Sequence, residues 1–191
     1  FVSGFLNGKP ALLQYIPGKH VLNDGSGGDT NVELQVSGDY PQSGDFEIGV
    51  VLKQPIKFPL VLRAPDWAKG FEATVDGKTH IPSSSRWLEI DRLWSPGDKV
   101  HMKIPLEIRV VSDGDKTTNS VAFVRGPQVL AADTAIDGDA GIPKSDWWGN
   151  TLYSHVAEQN GTEKTFQLVT FADAGQNKEE YAVLHEGIEI D

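Results

Sequence analysis

The fold class is decided by the stretch Phe71-Glu-Ala-Thr-Val-Asp-Gly-Lys-Thr-His-Ile81, which carries the strongest hairpin signal in the chain. Asp76-Gly77 provides two residues that tolerate the positive φ angles of a two-residue turn, and such a turn matches the twist of paired strands. Residues 71–75 and 78–81 would form the two arms. The stretch therefore predicts an antiparallel β-hairpin.

The chain around this hairpin continues the same pattern. Apolar and polar residues alternate within residues 32–36, 46–50, 87–91 and 100–104, so each run has one face to bury. Ser95-Pro-Gly-Asp98 predicts a type II turn, because proline presets its φ and glycine accepts a positive one. Helical periodicity is almost absent. We predict an all-β fold with an antiparallel β-sandwich architecture.

The second half of the chain is expected to form a sandwich of its own. A meander of strands is complete near Glu107, so we predict two consecutive small sandwiches, in residues 1–107 and 108–191. In the second of these, a strand over residues 121–131 is interrupted by Gly126-Pro127. The interruption indicates a bulge or an edge position, because proline cannot donate to the hydrogen-bond ladder.

The composition limits the partners. The 191 residues include 17 basic and 27 acidic ones, and the formal net charge of −10 repels nucleic-acid backbones and anionic lipid surfaces. No apolar run is long enough to span a membrane, so we predict neither nucleic-acid binding nor membrane insertion. The absence of cysteine excludes disulfides, thiolate metal sites and a cysteine nucleophile within these residues. Neutral partners such as sugars are compatible with this charge.

Several short motifs occur in a definite order along the chain. They are Leu13-Gln-Tyr-Ile-Pro17, Gly38-Asp-Tyr-Pro41, Leu62-Arg-Ala-Pro-Asp-Trp67, Val75-Asp-Gly77, Trp94-Ser-Pro-Gly-Asp98, Ile104-Pro105, Val121-Ala-Phe-Val-Arg-Gly-Pro127 and Phe166-Gln-Leu-Val-Thr-Phe-Ala-Asp-Ala-Gly175. In this order they resemble the C-terminal part of glycoside hydrolase family 127, the β-L-arabinofuranosidase-like enzymes. Residues 134–165 have no clear counterpart in that family.

The resemblance implies a domain organisation and a set of partners. In this family an N-terminal (α/α) barrel carries the active site and two β-sandwich domains follow it, so the present chain would contain the sandwiches and lack the barrel. The cysteine nucleophile, the zinc-bound cysteine cluster and the glutamate acid/base of the best-known members lie in the barrel, so no catalytic residue is carried over. The implied partners are the catalytic barrel of a parent enzyme and an arabinose-containing or other plant-type glycan. The implied location is periplasmic or extracellular.

Catalytic and metal sites are not predicted within this chain, and neither is a cofactor. The acidic residues fall mainly in turns and on outward strand positions, where solvated surface is more common than a catalytic carboxylate pair. Asp137-Gly-Asp-Ala-Gly141 resembles the start of a calcium loop, but Trp148 stands where that loop needs a bidentate glutamate. The alternative to ordinary aspartate-rich turns is an irregular calcium site, whose candidate ligands are Asp113, Asp115, Asp137 and Asp139.

A carbohydrate-binding site is the remaining candidate. Sugar sites on β-sandwiches stack exposed aromatic rings on the apolar face of a sugar and flank them with polar side chains. The residues that fit this composition are Trp147, Trp148, Asp146, Asn150 and Tyr153. The competing interpretation is that one tryptophan of the pair caps a sandwich core or the junction with the barrel. Trp67, Trp87 and Trp94 are expected to be core or edge-covering residues.

Two functions remain open at this point. The first is a non-catalytic accessory region that supports the barrel and borders its glycan site. The second is an autonomous carbohydrate-binding module that uses Trp147 and Trp148 as its platform. A supporting region exposes an apolar patch when it is separated from its barrel, whereas a binding module exposes aromatic rings in one polar-rimmed site.

Overall fold

A computed structural model of the chain describes residues 2–23, 32–82, 86–112, 120–133, 152–174, 181–186 and 188. These residues form seventeen β-strands, and none of them lies in a helix. The all-β class predicted from the alternation is confirmed. Within the described ranges, no helix has the length and apolar character needed to cross a membrane. The chain divides into two compact units, Phe1–Leu106 and Glu107–Asp191.

The first unit contains two sheets. Its strands are β1 (Ser3–Leu6), β2 (Lys9–Leu12), β3 (Gly18–Leu22), β4 (Val32–Ser37), β5 (Asp45–Val51), β6 (Ile56–Arg63), β7 (Glu72–Val75), β8 (Lys78–His80), β9 (Trp87–Trp94) and β10 (Lys99–Lys103). One sheet has the order β1-β2-β6-β9, and the other has the order β3-β4-β5-β10-β7-β8. Neighbouring strands are antiparallel except β2 and β6, which run parallel.

The apolar faces predicted from the alternation meet in one core. Leu34 and Ile48 project from the six-stranded sheet and Leu60 projects from the four-stranded sheet, and all three are fully buried in the same cluster. Trp94 lies in this core, where its indole Nε1 donates a hydrogen bond to the Phe58 carbonyl oxygen at 2.9 Å. Burial of large apolar side chains contributes about 1.5–3 kcal/mol each. This core holds the two sheets face to face, so the predicted sandwich is confirmed for this unit.

Both tight turns predicted in the first unit are present. Asp76 and Gly77 have φ angles of 49° and 75°, and they join the antiparallel strands β7 and β8. Gly97 has a φ of 88°, and the amide nitrogen of Asp98 donates to the carbonyl oxygen of Ser95 at 3.1 Å. The second turn carries the chain from β9 in one sheet to β10 in the other.

The described part of the second unit forms one connected sheet. Its strands are β11 (Ile108–Ser112), β12 (Ser120–Arg125), β13 (Gln128–Asp133), β14 (Tyr153–Gln159), β15 (Thr162–Thr170), β16 (Tyr181–Ala182) and β17 (Leu184–Glu186). The main order is β11-β12-β13-β15-β14, with β16 paired to β13 and β17 paired to β12. Phe123 of β12, Leu130 of β13 and Phe166 of β15 share one buried cluster. These strands therefore bury a common apolar cluster that is the core of this unit.

The prediction of one interrupted strand over residues 121–131 is wrong. Gly126 and Pro127 form the turn of a hairpin in which β12 and β13 pair up to Arg125 and Gln128. Gly126 has a φ of 56°, while the ring of Pro127 holds its own φ negative. A positive φ followed by a negative φ is typical of a two-residue turn that reverses the chain. A bulge would have left the direction of the chain unchanged.

Candidate functional site

A groove of about 750 Å³ lies at the end of the first unit's sandwich where the chain crosses between the two sheets. The chain leaves the four-stranded sheet at the end of β6 and enters the six-stranded sheet at the start of β7. The chain then leaves the six-stranded sheet at the end of β8 and re-enters the four-stranded sheet at the start of β9. Two crossings at one end create a recess between their loops.

Backbone hydrogen bonds hold the loop that forms one wall of the groove. The amide nitrogen of Ala68 donates to the Pro65 carbonyl oxygen at 2.9 Å, and Gly70 turns the chain with a φ of 80°. The amide nitrogen of Ala64 donates to the Arg86 carbonyl oxygen at 2.7 Å, which joins this wall to the residue before β9. The groove is therefore framed by backbone that is already hydrogen-bonded.

The phenol of Tyr15 supports the same loop from the core. Its Oη donates to the carbonyl oxygen of Arg63 at 2.6 Å, and only 3% of the residue is exposed. Burial raises the pKa of Tyr15 well above its usual value of 10, the Tyr40 phenol raises it further, and the charge of Arg63 opposes the shift. The hydroxyl therefore keeps its proton near neutral pH and remains a donor.

The lining of the groove combines apolar and charged groups. Arg86 Nε lies 2.9 Å from Asp66 Oδ1, and these side chains are 68% and 63% exposed. Glu72 adds a second carboxylate where β7 begins. Ile81 is 64% exposed, although it is aliphatic, and it stands beside Pro82 in the lining. Such a surface suits a ligand that is apolar in one part and cationic or hydroxylated in another.

A second polar surface lies on the outer face of the six-stranded sheet. Lys99 Nζ donates to Glu47 Oε2 at 2.8 Å, and His101 Nδ1 lies 3.0 Å from Glu47 Oε1. The hydrogen bond from Lys99 is the main cause that lowers the pKa of Glu47; desolvation opposes this shift, and the positive charges of Lys99 and His101 add to it. These groups are solvent-exposed, so their ion pairs are screened and contribute little to stability.

The predicted sugar site is described only at Tyr153. Tyr153 is half-buried at the start of β14, and the Arg125 guanidinium carbon lies 4.7 Å from its ring centroid. That face of the ring is not available to a sugar. The other predicted residues lie outside the described ranges; they are Trp147, Trp148, Asp146 and Asn150, and the calcium candidates Asp113, Asp115, Asp137 and Asp139. Among the residues that are described, no three His, Asp or Glu side chains are grouped to hold a metal ion.

Two of the three remaining tryptophans, Trp94 and Trp67, lie in or against the first core, as predicted. Trp94 is fully buried in the first core, and Trp67 is partly buried against it. Trp87 is half-buried at the start of β9. The groove was missed by sequence reasoning, although one of its walls carries the Arg-Ala-Pro-Asp-Trp motif and another carries Pro82. Nothing local in the sequence indicates that these two segments face each other.

Comparison with known proteins agrees with the fold. A model of the GH127 β-L-arabinofuranosidase middle domain matches residues 11–106, just over half of the chain. A GH127 β-L-arabinofuranosidase from Geobacillus stearothermophilus T6 has a TM-score of 0.69 at 18% identity, over 96% of this chain and 34% of that one. A protein described as a glycoside hydrolase has a TM-score of 0.64 at 19% identity, over 92% of this chain and 35% of that one.

A GH127 β-arabinofuranosidase has a TM-score of 0.61 at 15% identity, over 96% of this chain and 35% of its own. No curated protein matches the chain. The fold and the domain match define an accessory, all-β region of a glycoside hydrolase. The chain belongs to glycoside hydrolase family 127, and it spans about a third of the length of the solved proteins it matches.

Proposed function

We propose that this chain is a non-catalytic β-sandwich region that supports the catalytic (α/α) barrel of a family 127 enzyme and borders its glycan site. The match of the middle-domain model to residues 11–106 carries the proposal. The chain is too short to be the whole of the solved proteins it resembles. It also lacks the cysteine that the family resemblance assigns to the nucleophile.

The support is mechanical in this proposal. A close-packed β-sandwich deforms little, because its interior density is that of an organic crystal. The first unit has such a core, and its two sheets are joined by short hydrogen-bonded turns. A barrel that docks on a rigid surface keeps its loops in one arrangement. The substrate class of the parent enzyme would then be β-L-arabinofuranosides, by analogy with the described activity of the matched enzymes.

Deletion in the parent enzyme tests the proposal. A protein that lacks these 191 residues should hydrolyse an aryl β-L-arabinofuranoside more slowly and unfold at a lower temperature than the full-length enzyme. The isolated chain should have no hydrolytic activity on the same substrate. Full activity and unchanged thermal unfolding of the truncated enzyme would refute the supporting role, and hydrolysis by the isolated chain would refute the non-catalytic assignment.

An autonomous carbohydrate-binding module is the second proposal, and the composition around Trp147 and Trp148 favours it. Calorimetric titration of the chain with arabinose-containing oligosaccharides and plant polysaccharides tests this. Binding that disappears in the Trp147→Ala, Trp148→Ala double variant would support a module with its site at this pair. A folded chain that binds none of these glycans would remove this proposal and leave the supporting role.

A further inference from the structure

The groove between the two sheet crossings exposes aliphatic surface that a solvated loop does not require. Ile81 is 64% exposed, and Pro65 and Pro82 line the groove beside it. The floor is formed by the buried side chains of Ala64 and Phe71, at 7% and 3% exposure. An apolar side chain placed here would contact a floor and two walls at once. At about 750 Å³ the groove has room for an apolar anchor together with neighbouring residues of the same segment.

The residues that line the groove carry a net negative charge. Two carboxylates, Asp66 and Glu72, face one guanidinium, that of Arg86, and the guanidinium is already paired with Asp66. Lys103 stands opposite Glu72 in the register of β10 with β7, but within the described ranges no cationic side chain lies within 4.0 Å of the Glu72 carboxylate. A carboxylate that forms no ion pair within this chain, beside an apolar recess, can still accept a cationic group and disfavours an anionic one.

The lining favours a polypeptide over a sugar as the occupant. A sugar ring normally stacks on an exposed aromatic face, but Phe71, the aromatic residue among the described lining residues, is buried in the floor of the groove and is only 3% exposed. Aliphatic and proline surfaces beside a carboxylate are instead typical of the contact with an apolar side chain and an adjacent lysine or arginine. Because hydrogen bonds already hold the backbone of the loop, this surface has its shape before a partner binds.

We propose that the groove lined by Pro65, Glu72 and Ile81 is the docking site for a segment of the catalytic domain that inserts an apolar side chain and pairs an adjacent Lys or Arg with Glu72. This inference rests on the proposed supporting function and identifies the surface through which the support acts. The matched proteins are about three times as long as this chain, so a partner segment of this kind belongs to the remaining two thirds.

Site-specific photo-crosslinking in the full-length parent enzyme tests the docking site. A photoreactive phenylalanine analogue at position 81 should cross-link to a catalytic-domain peptide that contains Lys or Arg. The same analogue at Leu93, which is 57% exposed and outside the groove, is the matched control and should cross-link to that peptide at least about fivefold less. Equal yields at positions 81 and 93, or cross-links from position 81 only within this chain, would overturn the proposal.

A charge reversal tests the second half of the inference. Glu72→Lys should reduce the cross-link from position 81 by about fivefold or more, because it places like charges together. Glu163→Lys, on the exposed part of β15, should leave the yield unchanged. An unchanged yield in Glu72→Lys would exclude the ion pair. Circular dichroism of each variant confirms that its strands are intact before yields are compared.

Failure of this inference is distinguishable from failure of the supporting function. A truncated enzyme with lost activity, together with no cross-link from position 81, would keep the support and remove this groove as its surface. Binding of an arabinose-containing oligosaccharide to the full-length enzyme that is abolished by Glu72→Lys, again without a cross-link, would assign the groove to glycan and overturn the docking proposal.

Discussion

Gly44 has the closest contact for an added Cβ among the described glycines of the first unit. A Cβ built on Gly44 would lie 1.9 Å from the carbonyl oxygen of Ile104. The same backbones are hydrogen-bonded, with the amide nitrogen of Ile104 donating to the Gly44 carbonyl oxygen at 2.8 Å. Glycine is required here because the backbone just after β10 approaches the backbone just before β5, and no left-handed backbone angle is involved.

The first prediction is that Gly44→Ala lowers the free energy of unfolding by at least about 2 kcal/mol, because the strands must separate to admit the methyl group. Urea denaturation measures the change. Gly4→Ala is the matched control, since no atom lies within 4 Å of a Cβ at Gly4, and it should change stability by less than about 0.5 kcal/mol. Equal stabilities of the two variants would contradict the close approach.

Tyr15 gives a second prediction at the same scale. Tyr15→Phe removes the donor to the Arg63 carbonyl oxygen and should cost about 1–2 kcal/mol of unfolding free energy. Tyr40→Phe, in the neighbouring half-buried ring, is the control and should change the unfolding free energy less. Amide hydrogen exchange should also accelerate in the loop after β6 in Tyr15→Phe alone. Exchange as slow as in the wild-type chain would contradict the supporting role of the phenol.

At the scale of elements, three hairpins use the same turn. Asn7-Gly8 joins β1 to β2, and Asn160-Gly161 joins β14 to β15, with φ angles of 51° and 76° and of 52° and 75°. These angles nearly equal those of Asp76-Gly77. Of the three turns, only Asp76-Gly77 was identified from sequence, because apolar and polar residues alternate clearly in its arms. In each of the other two hairpins the first arm, β1 or β14, contains no buried residue.

Arg92 of β9 connects two turns at the other end of the sandwich from the groove. Its guanidinium nitrogens lie 2.7 Å from Asp76 Oδ2 and 3.4 Å from Asp98 Oδ2. Asp98 Oδ2 also accepts a hydrogen bond from the Ser95 amide nitrogen at 2.9 Å. One carboxylate therefore fixes the crossing turn and links it to a strand of the four-stranded sheet.

The third prediction is that Asp98→Ala lowers the free energy of unfolding by about 1–2 kcal/mol, because it leaves a backbone amide and a guanidinium without this acceptor. The Asp98 side chain is only 18% exposed, so water replaces it poorly. Asp91→Ala removes a 53% exposed carboxylate that lies 4.0 Å from Lys57, and it should be nearly neutral. A comparable loss in both variants, measured by urea denaturation, would show that the contacts of Asp98 have no special effect.

At the scale of the whole molecule, each unit has a buried apolar cluster of its own. The cluster of the second unit has a titratable neighbour in His155, whose ring centroid lies 5.3 Å from that of Phe123. Burial lowers the pKa of His155 from its usual value of 6.5. In the first unit, burial together with the charges of Lys78 and Arg92 lowers the pKa of His80.

The fourth prediction concerns the pH dependence of stability. Below pH 6.5 the unfolded chain binds more protons at His155 than the folded chain does, so the free energy of unfolding is greatest above pH 6.5 and falls as the pH decreases through it. His155→Gln should reduce the slope of unfolding free energy against pH between pH 5 and 7, and His80 should account for part of the remainder. Val156→Gln, at the next position of β14, should keep the wild-type slope. An unchanged slope in His155→Gln would contradict the burial effect.

Local signals explain why some of this protein was predictable. Alternation and turn chemistry depend on neighbours in the chain, so the buried face of residues 46–50 and the Asp76-Gly77 and Ser95–Asp98 turns could be predicted. The Gly126-Pro127 hairpin was misread, because proline after glycine fits a bulge and a reversal equally well until the pairing of β12 with β13 is known. The sugar site at Trp147 and Trp148 stays a prediction.

The sequence by itself determined the all-β class, the inward face of four strands of the first unit and the family, since each depends on short motifs and their order. Only the tertiary structure decided the groove. It requires the loop after β6 and the segment around Ile81 to meet across two sheets. Tyr15 with Arg63, and Gly44 with Ile104, are likewise brought together by strand pairing and core burial. The local periodicity of a sequence carries no information about contacts between segments so far apart in the chain.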